Sequence, residues 1–522
     1  MNKLNALFVV ILTCLFACAA VWFSLSRGDY RLLVLSAGIP FIIYFMNRPG
    51  AVLMLAIGLM YSGISFPGLP GALMVYHLFV ALYIGLWVLA LALRPVEIEA
   101  RRFYTTVLFL FILNIAVVMY WRGTGFRILG DRNWGGFRYV QIFLSLGFVL
   151  ASSYIKLSVK QWKITMLLLS GLALVPSLAE FLLLVSRGRL YHLYYVIRLR
   201  SLTLTAFMAS EEELGLVRFY SARSAGIALL MLAFMFVGVK GLRKYLFFAM
   251  SGLAVGFIAF TGHRASVLEL AAFLWLYGFV KVKMTKFNFV LLSMLGMVFL
   301  LALLYATAIY LPTPVQRAVS FLPNIRVDAI ARDNAMETLE WRLNLWNEGV
   351  NELKNNPGYW VIGKGYTFSN EEMDMLRMGR PGEYNYWWAV LNTTYHNGPL
   401  SLLIGLGFSG LLLGTLILIA FSWRHHRFLN QTWGSPWLQR FFMILFLYNL
   451  ASIAVFFLVY GDAFNNFPVI LYRIGMLEAL YFSDKQIKTS RVPVDAPPSE
   501  TFPGLSTGGA NQDNMRPASS LT

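Results

Sequence analysis

Apolar runs long enough to cross a hydrocarbon core of about 30 Å recur along this chain from residue 5 to residue 482. Lipid offers no hydrogen-bond partners, so such segments have to satisfy their own backbone as helices. The candidate spans are roughly 5–25, 32–46, 51–66, 72–93, 103–120, 140–154, 164–186, 224–240, 245–262, 265–280, 287–311, 399–423, 439–460 and 467–482. Several are short or interrupted by glycine. The expected fold is an all-α polytopic membrane protein with roughly 12–14 transmembrane helices. Composition agrees, because 58% of the 522 residues are hydrophobic and only 13% are charged, outside the balance of soluble domains. The expected organisation is transmembrane helices with short loops over 1–311, one large loop over 312–398, and C-terminal transmembrane helices over 399–484. The tail over 485–522 is rich in Pro, Ser, Gly and Thr, which predicts disorder.

The first segment, MNKLNALFVVILTCLFACAAVWF, begins like a signal peptide. Its long apolar run, followed by further spans, reads instead as an uncleaved first span. Cys14 and Cys18 are the only cysteines and both lie in it, so no disulfide framework or cysteine metal site arises elsewhere.

A net charge of +18 could point to nucleic acid, but its distribution does not. With the N-terminus inside, the short cytoplasmic connections carry Arg94, Arg101 and Arg102, then Lys156, Lys160 and Lys163, then Lys240, Arg243 and Lys244. Lys281, Lys283, Lys286, Arg424 and Arg427 continue the pattern. That is the positive-inside rule, and it puts both termini in the cytoplasm. The opposite face receives WRGTGFRILGDRNWGGFRY (121–139), a second loop over 187–223, and the long loop over 312–398. The first two hold ten arginines and no lysine. Two readings fit: a planar fork suits paired contacts to phosphate oxygens, and long cationic side chains also anchor helix ends among headgroups.

Within the long loop, NAMETLEWRLNLWNEGVNELKNN predicts an amphipathic helix with Leu339, Leu343, Trp346, Val350 and Leu353 on its apolar face. Asn334 or Thr338 is the expected cap, and NNPG is the stop signal. The loop ends in GEYNYWWAVLNTTYHNGP, where Tyr384, Tyr386, Trp387, Trp388 and Tyr395 precede His396. Such aromatic density suits stacking on sugar rings and suits an interfacial belt equally. His396 has the chemistry of a general base, since a neutral imidazole accepts a proton from a hydroxyl, although a lone histidine also serves structural roles. FTGHRAS places His263 and Arg264 at a membrane boundary. The orientation puts Arg218, Arg223, Arg264 and His396 on one face, as a single site requires. EEMD (371–374) is acidic but forms no ligand cluster that would hold a metal.

The segment HNGPLSLLIGLGFSG, with His396 and Asn397 ahead of Gly407 and Gly410, resembles the signature of the bacterial O-antigen ligases, members of the O-antigen ligase and polymerase superfamily. Arg218 in VRFYSARSAGIALL, Arg264 in FTGHRAS and the run WRLNLWNEGVNELKNNPGYWVIGKGY agree with it. The resemblance covers about residues 200 to 425. It implies a C-type glycosyltransferase-like fold in the bacterial inner membrane, with the active site on the periplasmic face. The implied reaction is metal-independent and inverting, with no cofactor. It moves O-antigen polysaccharide from undecaprenyl diphosphate to a sugar hydroxyl of lipid A-core. In that reading His396 is the catalytic base, Arg218 and Arg264 bind the diphosphate with Arg223 competing for the role, and Asn397 and Tyr395 support the site. The partners implied are the lipid-linked polysaccharide, lipid A-core and membrane lipids, with no nucleic acid. A polymerase of the same superfamily would use similar parts. A transporter of lipid-linked sugars is a rival of another class, for which Arg473 and Glu478 in the last apolar segment are the best sign.

Overall fold

The computed structural model describes residues 44–64, 73–93, 102–124, 136–186, 189–190, 193, 197, 221–236, 242–261, 263–320, 322–367 and 384–491. The first candidate span with Cys14 and Cys18, Arg218, the EEMD stretch and residues 492–522 lie outside them. The described residues form helices and no strand. In chain order they are α1 (Pro49–Gly58), α2 (Val75–Leu93), α3 (Arg102–Arg122), α4 (Phe137–Ala151), α5 (Val159–Val185) and α6 (Ala222–Phe234). There follow α7 (Leu242–Phe260), α8 (Arg264–Lys281), α9 (Lys286–Thr307), α10 (Thr313–Val319), α11 (Ala329–Asn355) and α12 (Gly358–Val361). The last four are α13 (Tyr384–Leu391), α14 (Gly398–Leu429), α15 (Pro436–Leu458) and α16 (Asn466–Arg491).

Six of these helices, namely α2, α3, α5, α9, α14 and α15, are long and apolar enough to cross a membrane. The chain is therefore an all-α polytopic membrane protein. Helix α9 has no buried residue and is apolar on every side, as a helix surrounded by lipid should be. At the other extreme, α15 and α16 form the centre, with Phe441, Phe442, Ile444, Leu477 and Leu480 almost wholly enclosed. Around them α4 packs on α16, α8 on α15 and α3 on α14, while α6 joins α5 to α7. An ionic contact also locks α14 to α16. Arg424 donates through Nε and Nη2 to the two oxygens of Glu478 at 2.8 and 2.9 Å, and His425 Nε2 lies 3.0 Å from the same carboxylate.

Three sequence expectations need correction. The loop helix α11 starts at Ala329 with Asp328 as its cap, its side chain accepting from the Ile330 N–H, so Asn334 and Thr338 lie inside it. Its buried face is Ala335, Leu345 and Leu353, whereas Leu339, Leu343 and Val350 are exposed. The face shifted because α11 packs against the short helix α13 and the start of α14, a surface that helical periodicity alone does not reveal. Finally, α16 continues to Arg491, into the stretch expected to be disordered. Asp484 holds that extension by accepting from the backbone N–H groups of Gly434 and Ser435 at 2.8 Å each.

Candidate active site

The motif around His396 folds as it does for local reasons. Asn397 is the N-cap of α14, and its side-chain oxygen accepts from the Leu400 N–H at 3.0 Å. Pro399 follows in the first turn, where its missing donor costs nothing. Thr393 and His396 both adopt positive φ, 52° and 51°, so the chain turns sharply before the helix begins. Tyr395 points the other way, into a small core with Leu345, Leu353, Val390 and Ile404. Its hydroxyl donates to Glu352, its carbonyl accepts from the Trp346 indole at 2.8 Å, and Lys364 pairs with the same Glu352 at 2.6 Å. Burial, reinforced by the Glu352 carboxylate, pushes the Tyr395 phenol well above its ordinary value. Tyr395 stays protonated and acts as a brace.

The glycines of the motif serve a close approach. Helix α14 breaks at Gly407, whose φ of 76° and ψ of −179° belong to a region open only to glycine. Residues 361–365 lie directly against the break. The carbonyls of Ile404 and Gly405 accept from the backbone N–H groups of Lys364 and Gly365 at 2.6 and 3.0 Å, and the Leu406 carbonyl accepts from the Asn114 amide at 3.3 Å. A broken helix in a membrane survives only where neighbours satisfy its backbone in this way.

His396 itself is one-fifth exposed. Its ring stacks on Tyr460 with centroids 4.9 Å apart, and Trp341 of α11 approaches it at 5.3 Å. Its Nδ1 lies 3.9 Å from Asp462, a buried carboxylate in the turn between α15 and α16. Tyr460 also meets the edge of His263 at 5.0 Å and carries the Arg342 guanidinium 5.4 Å over its ring. Burial pushes Arg342 down from its ordinary value, while Tyr460 and Asp462 pull it back.

Tyr460, Asp462 and His263 line a cavity of about 280 Å³. Arg223, Glu269 and Arg473 line the same cavity. Arg223 Nη2 donates to Glu269 at 2.7 Å, yet its side chain remains a quarter exposed. Arg473 donates to Ser452 at 2.6 Å and to the Tyr61 hydroxyl at 3.0 Å, and lies 3.9 Å from Glu269. The N-terminal ends of α6, α8 and α16 all border this space, through Ser221, His263 and Asn466. Each contributes the positive end of a helix dipole, which favours an anion.

Of the residues picked out by the sequence, His396, Arg223 and the His263–Arg264 turn thus come to one end of the bundle. Arg264 opens α8 next to His263 but is not among the described residues that line the cavity. The arginine-rich segments divide their work. Arg122 donates to the Gly363 carbonyl at 2.8 Å and Arg138 donates to Asn392, so both forks hold the long loop, and Arg223 alone of the three faces the cavity. Arg473 and Glu478 are each paired inside the protein. Further ionisable groups lie buried in the helices, Glu180, Glu269 and His425 among them, which the sequence reading did not pick out. It also missed Asp462, Tyr460 and Arg342. YGDAFNN carried one usable signal, an acid between two spans on the same side as His396.

The fold and the site together define a polytopic helical membrane protein with an arginine-lined cavity, two of whose lining residues, Tyr460 and Asp462, are neighbours of the His396 imidazole. Residues 249–415 match the family model described as O-Antigen ligase. That segment, which holds Arg264, the loop helix α11 and His396, is similar to the O-antigen ligase family. Comparison with curated proteins gives no match.

Proposed function

We propose that this chain is a glycosyltransferase of the inner membrane. It moves O-antigen polysaccharide from undecaprenyl diphosphate to a sugar hydroxyl of lipid A-core at the periplasmic face, without a metal. One observation carries this reading: His396 lies 3.9 Å from Asp462 and stacks on Tyr460, and both of those residues line the cavity that Arg223 also lines. The cavity can take a diphosphate headgroup, while the polymer stays outside.

The two requirements of the reaction fall on different residues. As the acceptor oxygen attacks the anomeric carbon, its proton passes to His396, with Nδ1 turned toward Asp462 and Nε2 receiving the proton. The carboxylate then stabilises the imidazolium that forms. The carbon–oxygen bond to the carrier breaks with its electrons on the diphosphate. Arg223, with Arg218 and Arg264 from the adjoining segments, compensates that charge. Fixed guanidinium cations in a low-dielectric vestibule supply this without reorganisation.

The test is reconstitution of the purified chain in nanodiscs with polysaccharide-linked undecaprenyl diphosphate, lipid A-core and chelator, and no energy source. Product on lipid A-core is expected. Extension of a second lipid-linked repeat in its place identifies a polymerase, and movement of donor without any new glycosidic bond identifies a transporter. Arg223→Lys keeps the charge but loses the fork, and should raise the KM for the lipid-linked donor and cut kcat/KM by about 10-fold or more. Unchanged kinetics would remove Arg223 from the clamp. Asp462→Asn should lower kcat by roughly 10- to 100-fold with donor KM unchanged, because a neutral partner cannot stabilise an imidazolium.

A further inference from the structure

We propose that Arg138 is a positioning residue that sets the geometry of the His396–Asp462 pair. The inference rests on the transferase reading above for its kinetic meaning, but its basis is geometric. Arg138 stands in the first turn of α4 and is 2% exposed. Its Nη1 donates to the backbone carbonyl of Asn392 and its Nη2 to the Asn392 side-chain oxygen at 2.8 Å. One planar fork therefore grips one residue at two acceptors, a geometry that lysine cannot copy.

Asn392 sits just past the C-terminal end of α13 and is tied back to it, its side-chain amide donating to the Trp388 carbonyl at 2.8 Å. A cation there faces the negative end of a helix dipole. From Asn392 the chain runs through Thr393 at φ 52° to His396 at φ 51°. Positive φ is costly for a β-branched threonine, so this turn persists only if both its ends are fixed. Asn397 fixes the far end by capping α14. Arg138 fixes the near end.

The same guanidinium lies 3.6 Å from the ring centroid of Phe464, two residues beyond Asp462. This cation–π contact joins the turn that carries Asp462 to the group that grips the segment carrying His396. Acid and base come from parts of the chain more than sixty residues apart, and Arg138 touches the flanks of both. The sequence left this arginine, like the others of its segment, between a phosphate contact and an anchor among headgroups. Its burial and its two contacts to Asn392 give it a different task.

The experiment uses the full chain in nanodiscs. Arg138→Lys should lower kcat about 100-fold, the loss expected for a misplacement of about 1 Å, with the KM of donor and acceptor held within twofold. Added to His396→Ala, it should cost nothing further, because it acts through the imidazole. A multiplicative loss in the double variant, or a kcat equal to wild type, overturns the proposal. Asn392→Ala removes one of the two acceptors and should lower kcat several-fold, which keeps the test open if Arg138→Lys folds poorly. A readout independent of transfer separates this idea from the assigned reaction. The ring resonances of labelled His396, assigned by their absence in His396→Ala, should shift in Arg138→Lys even if the protein transfers no sugar. Resonances identical to wild type exclude the positioning role.

Discussion

His396→Asn lowers transfer in the reconstituted system to a small residual rate while the protein inserts and folds as wild type. Removing a general base costs about 10²- to 10⁴-fold, equivalent to roughly 3–5 kcal/mol of barrier, and no second base stands in its place in the proposed mechanism. Asparagine is the informative replacement because it accepts the positive φ of 51° at this position, where alanine adds strain to the loss of chemistry. His396→Ala should be equally inactive and slightly less stable, since the stacking on Tyr460 goes with it. Product formation by His396→Asn at a rate near wild type, measured by mobility of lipid A-core conjugates, would remove the base from the mechanism.

Gly407→Ala unfolds the site without touching a reacting group. The backbone conformation at Gly407 costs a non-glycine residue about 1–3 kcal/mol. An added Cβ would also lie 2.3 Å from the Val361 carbonyl oxygen, so either the loop or the helix has to move. Either movement parts the Lys364 and Gly365 N–H groups from the Ile404 and Gly405 carbonyls, leaving buried polar backbone unsatisfied. The expected result is a large fall in folded yield and thermal midpoint in detergent. Gly252→Ala, a helix-interior glycine with open space where its Cβ would go, should be neutral or mildly stabilising by comparison. Equal stability of the two variants would show that the broken helix is not held by residues 361–365.

The long apolar runs made the helical membrane fold legible, because burial in lipid is specified residue by residue along each run. The His-Asn pair was legible as well, and the cap that Asn397 supplies explains why an asparagine follows the histidine. The buried face of α11 was not, since its exposed Leu339 and Leu343 fit helical periodicity as well as its buried Leu345 and Leu353 do. Nor was the division of labour among the arginines. Arg122, Arg138 and Arg223 look alike in sequence, and only their partners, Gly363, Asn392 and Glu269, tell a loop brace from a cavity cation.

What the sequence determined by itself was the solvent in which each segment lives and some of the groups, His396 and the outer-face arginines, whose chemistry suits moving a proton or meeting a phosphate. Both are properties of single residues and their near neighbours. Tertiary structure alone decided that Asp462 stands beside His396, that Glu269 faces Arg223, and that Arg138 reaches Asn392. Charges buried in a bundle of low dielectric need partners, and which helix brings the partner depends on packing between segments far apart in the chain.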